Sequence, residues 1–266
     1  MSQYRWISNC DTGQHVIITM LPEGKHVRTV YTDPETGVLA SDVNNKILID
    51  CSTIDTATSL AVREETLSRF ASGYFVDAPV SGGVLGAEKA TLTFMIGANK
   101  SDPKLPLLKE LLGMMGKNLV ACGGPSLGLT AKLCNNYCSG LIAIAVSEAM
   151  NIGIRSGMDP RTLASVFHSS TAQSAICDDW NPVPGLCPEA PASKGYQGGF
   201  RVELMRKDFG LAVETAERVG ARVALGQEGL KVYSEAMQDE KCKGLDSRVV
   251  YRYLGGEEDW EAKLKE

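Results

Sequence analysis

The stretch GGPSLGLTAKLCNNYCSGLIAIAVSEAMNIGIRS, residues 123–156, decides how the fold is read. Gly123-Gly124-Pro125 interrupts any regular element before it. From residue 127 to 156 the apolar positions then follow helical spacing with few breakers. The spacing predicts a single helix of roughly 28 residues, about 40 Å long at 1.5 Å per residue. Upstream, short β-type runs alternate with helical patterns; downstream, only helical patterns recur. A boundary therefore falls near residue 124, with an α/β domain over 1–124 and an all-helical domain over 125–266.

Residues 16–20 (VIITM), 46–50 (KILID), 74–78 (YFVDA), 92–96 (LTFMI) and 119–122 (LVAC) read as buried strands. Helix candidates at 57–71 and 104–115 lie among them, and such alternation implies a parallel α/β sheet. Beyond the long helix, Asp159-Pro160 supplies the N-cap and first-turn proline of another. A Pro/Gly-rich loop spans 181–199, and helical patterns return at 205–219, 225–239 and 247–254. The charged tail over 257–266 is expected to fray.

The net charge of −5 excludes a general nucleic-acid binder with a broad basic face. No run of 18 apolar residues occurs, so no membrane span is expected. The opening MSQYRWISNCDTGQH has neither an apolar signal core nor an arginine-rich, acid-poor transit pattern, so no targeting segment is read in it. The 8 cysteines are scattered and expected to stay reduced. Cys134-x3-Cys138 has no neighbouring Cys or His pair to complete a zinc site, and no metal is expected. With only 3 histidines, His15, His26 and His168, an acid–base role falls more readily to a lysine.

Lys132, Asn135 and Asn136 lie near one face at the start of the long helix, because residues three and four apart are neighbours there. An amine beside carboxamides can handle a hydroxyl or carbonyl group; the plainer alternative is a solvated lysine beside poor helix formers. Asp77-Ala-Pro-Val-Ser-Gly-Gly83 follows a strand, and Ser81, Gly82 and Gly83 offer a hydroxyl and unhindered N–H groups suited to a carboxylate. Ser81-x-Gly83-x-x-Gly86 falls one residue short of a dinucleotide-binding glycine loop. It also leaves too little chain before the strand at 92 for a parallel crossover. Lys207-Asp208 opens a later helix, where Lys207 either meets an anion or pairs with Asp208 or Glu203.

Together these stretches resemble the β-hydroxyacid dehydrogenase family, and within it the 3-hydroxyisobutyrate dehydrogenase branch. The matching segments run in the family's order over roughly residues 16–235. They are IITMLP at 17–22, ID-x-STID at 49–55, DAPVSGG at 77–83, LTFMIG at 92–97 and Gly128-x-x-Ala-Lys-x-x-Asn-Asn136. EAMNIGIRSGMDP at 148–160, NPVPG at 181–185, YQGGF at 196–200 and KDFGLA at 207–212 complete the series. The lysine and DAPVSGG segments carry the family; NPVPG and YQGGF narrow it to the branch. The sister 6-phosphogluconate dehydrogenases have His-Asn where this chain has Asn135-Asn136, which argues against a phosphorylated sugar acid.

The resemblance implies NAD-dependent oxidation of 3-hydroxyisobutyrate to methylmalonate semialdehyde in valine catabolism, in mitochondria. Lys132 would be the proton relay and Asn136 would help hold the substrate. Ser81, Gly82 and Gly83 would bind its carboxylate, with Lys207 reaching in from the helical domain toward substrate and cofactor. Leu21, Pro22 and Thr53 would line the nicotinamide–ribose side, and His26 falls at a further cofactor contact. The implied partners are a small 3-hydroxy acid and further copies of the chain, associated through the helical domain; nucleic acid and membrane are not among them.

The family opens with a strand running into Gly-x-Gly-x-x-Gly, which holds the pyrophosphate. No such turn occurs in this chain, which enters at what would be the fourth strand. The expectation is a truncated Rossmann-type sheet lacking the glycine-rich half, from a shortened product or an incomplete gene model. Residues 16–20 would form an exposed apolar edge and NAD would bind weakly. The alternatives are a non-catalytic module pairing with full-length dehydrogenase subunits, and a reductase of another small semialdehyde.

Overall fold

Runs of β-branched and apolar residues build three parallel strands at the start of the computed structural model, which describes residues 15–263. Most of the N-terminal leader and the last residues of the charged tail lie outside that range. Close contacts divide the chain into two compact units, Met1–Leu133 and Cys134–Glu266.

In the first unit β1 (Val16–Thr19), β2 (Ile47–Asp50) and β3 (Tyr74–Asp77) lie side by side in that order. Val16 is opposite Ile47, and Ile47 opposite Tyr74. The crossovers carry α1 (Gly24–Thr32) and α2 (Thr56–Arg69), the latter capped by Asp55, whose side chain accepts the Thr58 N–H at 2.7 Å. All of β2 is buried, as expected of a strand covered on both faces. Among the described residues β1 pairs only with β2, and Ile18 is 45% exposed.

A bend at Ala78-Pro79 leads to β4 (Val80–Ser81), α3 (Gly83–Glu88), β5 (Leu92–Ile96), α4 (Leu105–Gly113) and β6 (Gly116–Ala121). The parallel pairing read from the sequence is present across β1, β2 and β3 and again between β5 and β6, while β4, which was not read, pairs antiparallel with β5. The six residues of α3 are too few for a parallel crossover. The same geometry disposes of the near-miss glycine loop. The two sheets are joined through backbone bonds from Gly97 N to Asp77 O (2.7 Å) and from Met95 N to Pro79 O (3.0 Å). Ile49, Val76, Phe94, Ile96 and Leu108 fill the core on one side, and Val27, Tyr31, Leu48 and Phe75 belong to a second cluster.

The long helix is present as α5 (Leu127–Arg155), a single element running across the boundary between the units. By length and composition alone it is long and apolar enough to cross a bilayer. It nevertheless buries the polar side chains of Lys132, Asn136 and Ser147 against protein. After it come α6 (Pro160–Ser169), α7 (Ala175–Asp178), α8 (Val202–Arg218), α9 (Gly226–Ala236), α10 (Val250–Tyr253) and α11 (Trp260–Lys263). Asp159 caps α6 as expected, accepting the Arg161 N–H at 2.8 Å. Phe209 of α8 is the packing centre of the second unit, fully buried and 4.7 Å from Tyr137 and 5.8 Å from Tyr233, centroid to centroid. A Cβ at Gly229 would come within 2.5 Å of the Phe209 ring, so only glycine lets α9 approach α8 this closely. The tail departs from expectation: Trp260 is buried and its indole N–H donates to Pro184 O at 2.8 Å, which fastens the chain there instead of letting it fray.

Candidate active site

On α5, Lys132 and Asn136 stand one turn apart, and both are buried, at 7% and 6% exposure. That removes the plainer reading of a solvated lysine beside poor helix formers. Asn135 is exposed, and its amide donates to Asn136 Oδ1 at 3.2 Å.

In the second unit the Asn136 amide donates to Asp208 Oδ2 at 2.7 Å, and Lys207 Nζ lies 3.1 Å from Asp208 Oδ1. Asp208 is 2% exposed and Lys207 about a quarter exposed. Of the alternatives for Lys207, the structure shows the pairing with Asp208; Glu203 instead faces Arg201 at 3.3 Å. Asp208 thus belongs to the site, which sequence reasoning recognised only as a possible partner of Lys207. A signal was present: Asp208 falls on the apolar face of α8 that also buries Val202, Met205, Phe209 and Val213. A buried carboxylate on such a face requires partners.

In the first unit the turn after β4 opens toward solvent at Gly82 and Gly83, with φ of 133° and 62°. Both values favour glycine. A Cβ at Gly83 would meet nothing within 4 Å. Ser81 is half-buried at the end of β4.

The loops after β1 and β2 are tied together by a buried hydrogen-bond chain. Leu21 N donates to Ser52 Oγ at 2.8 Å, and Ser52 Oγ donates to Asp50 Oδ1 at 2.6 Å. Thr19 Oγ1 donates to the same oxygen at 2.8 Å and lies 2.8 Å from the Tyr31 hydroxyl. Asp50 is fully buried and its Oδ2 has no hydrogen-bond partner among the described residues. Burial pushes this carboxyl above the usual range, against the pull of Ser52 and Thr19. Sequence reasoning named Leu21, Pro22 and Thr53 here but not this network, whose members are polar residues common to many strand ends. His26 lies in the first turn of α1, with Nδ1 buried and lacking a partner among the described residues.

These residues fit a nicotinamide cofactor. The carboxyl ends of parallel strands are where such sheets bind nucleotides. Leu21 and Pro22 follow β1, Thr53 follows β2, and His26 lies in the first turn of α1 with its Nδ1 buried and lacking a hydrogen-bond partner among the described residues. No group of three or more metal-ligating side chains occurs among the described residues.

A family model described as the NAD binding domain of 6-phosphogluconate dehydrogenase matches residues 3–124. One described as NAD-binding of NADP-dependent 3-hydroxyisobutyrate dehydrogenase matches residues 127–254. The first match begins ahead of β1, in residues outside the described range. A probable mitochondrial 3-hydroxyisobutyrate dehydrogenase of Dictyostelium discoideum is 44% identical over 242 residues, covering 90% of this chain and 73% of the relative. The 3-hydroxyisobutyrate dehydrogenase of Pseudomonas aeruginosa is 37% identical over 250 residues, covering 94% and 82%. Among solved structures, the Mycobacterium tuberculosis 3-hydroxyisobutyrate dehydrogenase with L-serine has a TM-score of 0.82 at 35% identity, covering 90% of this chain and 79% of that one. On this evidence the chain belongs to the 3-hydroxyisobutyrate dehydrogenase family, oxidoreductases that pair a Rossmann-type NAD(P)-binding region with a helical one.

Proposed function

We propose that this chain oxidises 3-hydroxyisobutyrate to methylmalonate semialdehyde with NAD as acceptor, as a step of valine catabolism in mitochondria. The observation that carries the reading is the burial of Lys132 one turn before Asn136, with the Asn136 amide held by Asp208. Mitochondrial placement is supported by the names of several relatives, including those of Dictyostelium, rat and human.

The substrate carboxylate is received by Ser81 and the N–H groups of Gly82 and Gly83. The alcohol loses its hydroxyl proton to the Lys132 amine as the carbon beside it gives up hydride and the C=O bond forms. Desolvation favours the neutral form of an amine, the form a proton acceptor must take. Asn136, its amide already engaged, holds the reacting oxygen in line. NAD, when bound, supplies the hydride acceptor, and Leu21, Pro22, His26 and Thr53 would hold its nicotinamide–ribose side. The relative solved with L-serine, itself a small 3-hydroxy acid, favours this substrate class. A homo-oligomer formed through the helical unit completes the proposal, supported by the apolar surface that α5 leaves partly uncovered.

The test is Lys132→Ala, expected to abolish turnover with the circular dichroism spectrum unchanged; near-wild-type kcat would sink the assignment. An NADH assay over several small hydroxy acids separates this reading from a reductase of another semialdehyde. Calorimetry with NAD measures how far a chain without a Gly-x-Gly-x-x-Gly turn retains the cofactor. Absent NAD binding together with co-purification of full-length dehydrogenase subunits would favour the non-catalytic module instead.

A further inference from the structure

Helix α5 is not capped from its own sequence. Ser126 stands where an N-cap residue would, but its hydroxyl donates to Thr56 O at 3.2 Å and its φ is 64°. The cap comes from Asp77, at the end of β3. Asp77 Oδ1 accepts the Ser126 N–H at 2.7 Å and Oδ2 accepts the Leu129 N–H at 2.9 Å, with the Gly128 N–H also directed at it. These bonds span 49 and 52 residues of sequence. A local cap stabilises a helix wherever it lies; a cap from a distant strand also fixes where the helix starts.

The surroundings leave the joint no play. Asp77 is 2% exposed. A Cβ at Gly97 would lie 1.9 Å from Asp77 Oδ1, and one at Gly128 would lie 2.1 Å from Met95 O and 2.8 Å from Asp77 Oδ2. Two glycines are therefore required for strand and helix to close on this carboxylate. Lys132 follows Gly128 by one helical turn, on the same face. Ser81 lies four residues beyond Asp77 on the same stretch of chain.

We propose that Asp77 is the positioning residue of the reaction: it locks the start of α5 to the end of β3, and so sets Lys132 against the Ser81-Gly82-Gly83 turn. This rests on the reading of Lys132 as the proton relay. Asp77 touches neither substrate nor cofactor; it acts through Lys132. An asparagine at 77 would present an N–H toward N–H groups that the carboxylate now receives.

The experiment compares Asp77→Asn, Gly128→Ala, Lys132→Ala and Asp159→Ala in the full chain. Asp159→Ala removes a cap of similar chemistry from α6, which carries no site residue; it is expected to lower Tm and leave kcat unchanged. Asp77→Asn is expected to lower kcat about 10- to 100-fold, the scale of an ångström-level misplacement. The acidic limb of the pH–rate profile should shift with it as the Lys132 surroundings change, while NAD binding stays near wild type. Gly128→Ala keeps the carboxylate but forces the joint apart, and is expected to give the same pattern. Should Asp77→Asn fail to fold, Gly128→Ala decides. Folded variants with wild-type kcat and pH profile overturn the inference. If Lys132→Ala itself retains activity, the proton-relay reading fails instead, and the two failures are distinguishable.

Discussion

Asp208 leaves the Asn136 carboxamide little freedom to rotate, and a side chain that must meet a substrate oxygen benefits from arriving pre-oriented. Asp208→Ala removes a buried hydrogen bond to a charged group, an interaction worth about 1.5–3 kcal/mol. Steady-state kinetics should register a loss in kcat/KM of at least tenfold, with the helical content unchanged. Asp50 supports a different expectation. Burial makes its carboxyl hold a proton to higher pH than the unfolded chain, where 3.8 is the ordinary value. Above that pH the native state binds more protons, so stability falls as pH rises, until the native carboxyl has ionised as well. Asp50→Asn removes this contribution. Thermal melts should show the variant gaining on the parent as pH is raised from about 4, and a constant difference would refute the burial argument.

Among the elements, the α8–α9 pair depends on Phe209 lying over Gly229. Truncating a fully buried phenylalanine leaves a cavity, and Phe209→Ala should cost about 3–5 kcal/mol in a denaturant titration. The strand at 92–96 could be read to the residue because LTFMI alternates buried and half-buried positions, the period of a half-covered strand. The long helix could be read because its spacing persists over many turns. In contrast, α1 went unread because GKHVRTVYT buries only Val27 and Tyr31. The pair β4 and α3 was missed because two-residue strands and six-residue helices carry no measurable period. The tail over 257–266 read as charged and frayed, yet Trp260, through a carbonyl partner, anchors the chain at that position.

Over the whole molecule the cysteines separate by environment. Burial pushes the Cys51 thiol up to about 12 and that of Cys242 up to about 11, so little thiolate exists there at neutral pH. Cys134 and Cys138 are exposed on α5. Titration of the native protein with a disulfide reagent should label the exposed pair quickly and the buried thiols only on unfolding. Because the described cysteines are free, a reductant should leave Tm unchanged. Labelling of Cys51 at the rate of Cys134 would contradict the burial argument.

The longer strands, the long helix, the α/β-to-helical change of character and the residue types at the site follow from local pattern, because periodicity and turn chemistry act within a few residues of chain. So do Lys132, Asn136, Ser81 and Lys207 as candidates, since their roles are set by functional group and placement on an element. Three further facts needed the tertiary structure: Asp77 caps a helix some fifty residues away, Asp208 holds Asn136, and Asp50 keeps an oxygen without a hydrogen-bond partner among the described residues. Each depends on what lies opposite a side chain across a packed interior. Sequence separation does not encode that, whereas desolvation makes every buried polar atom depend on it.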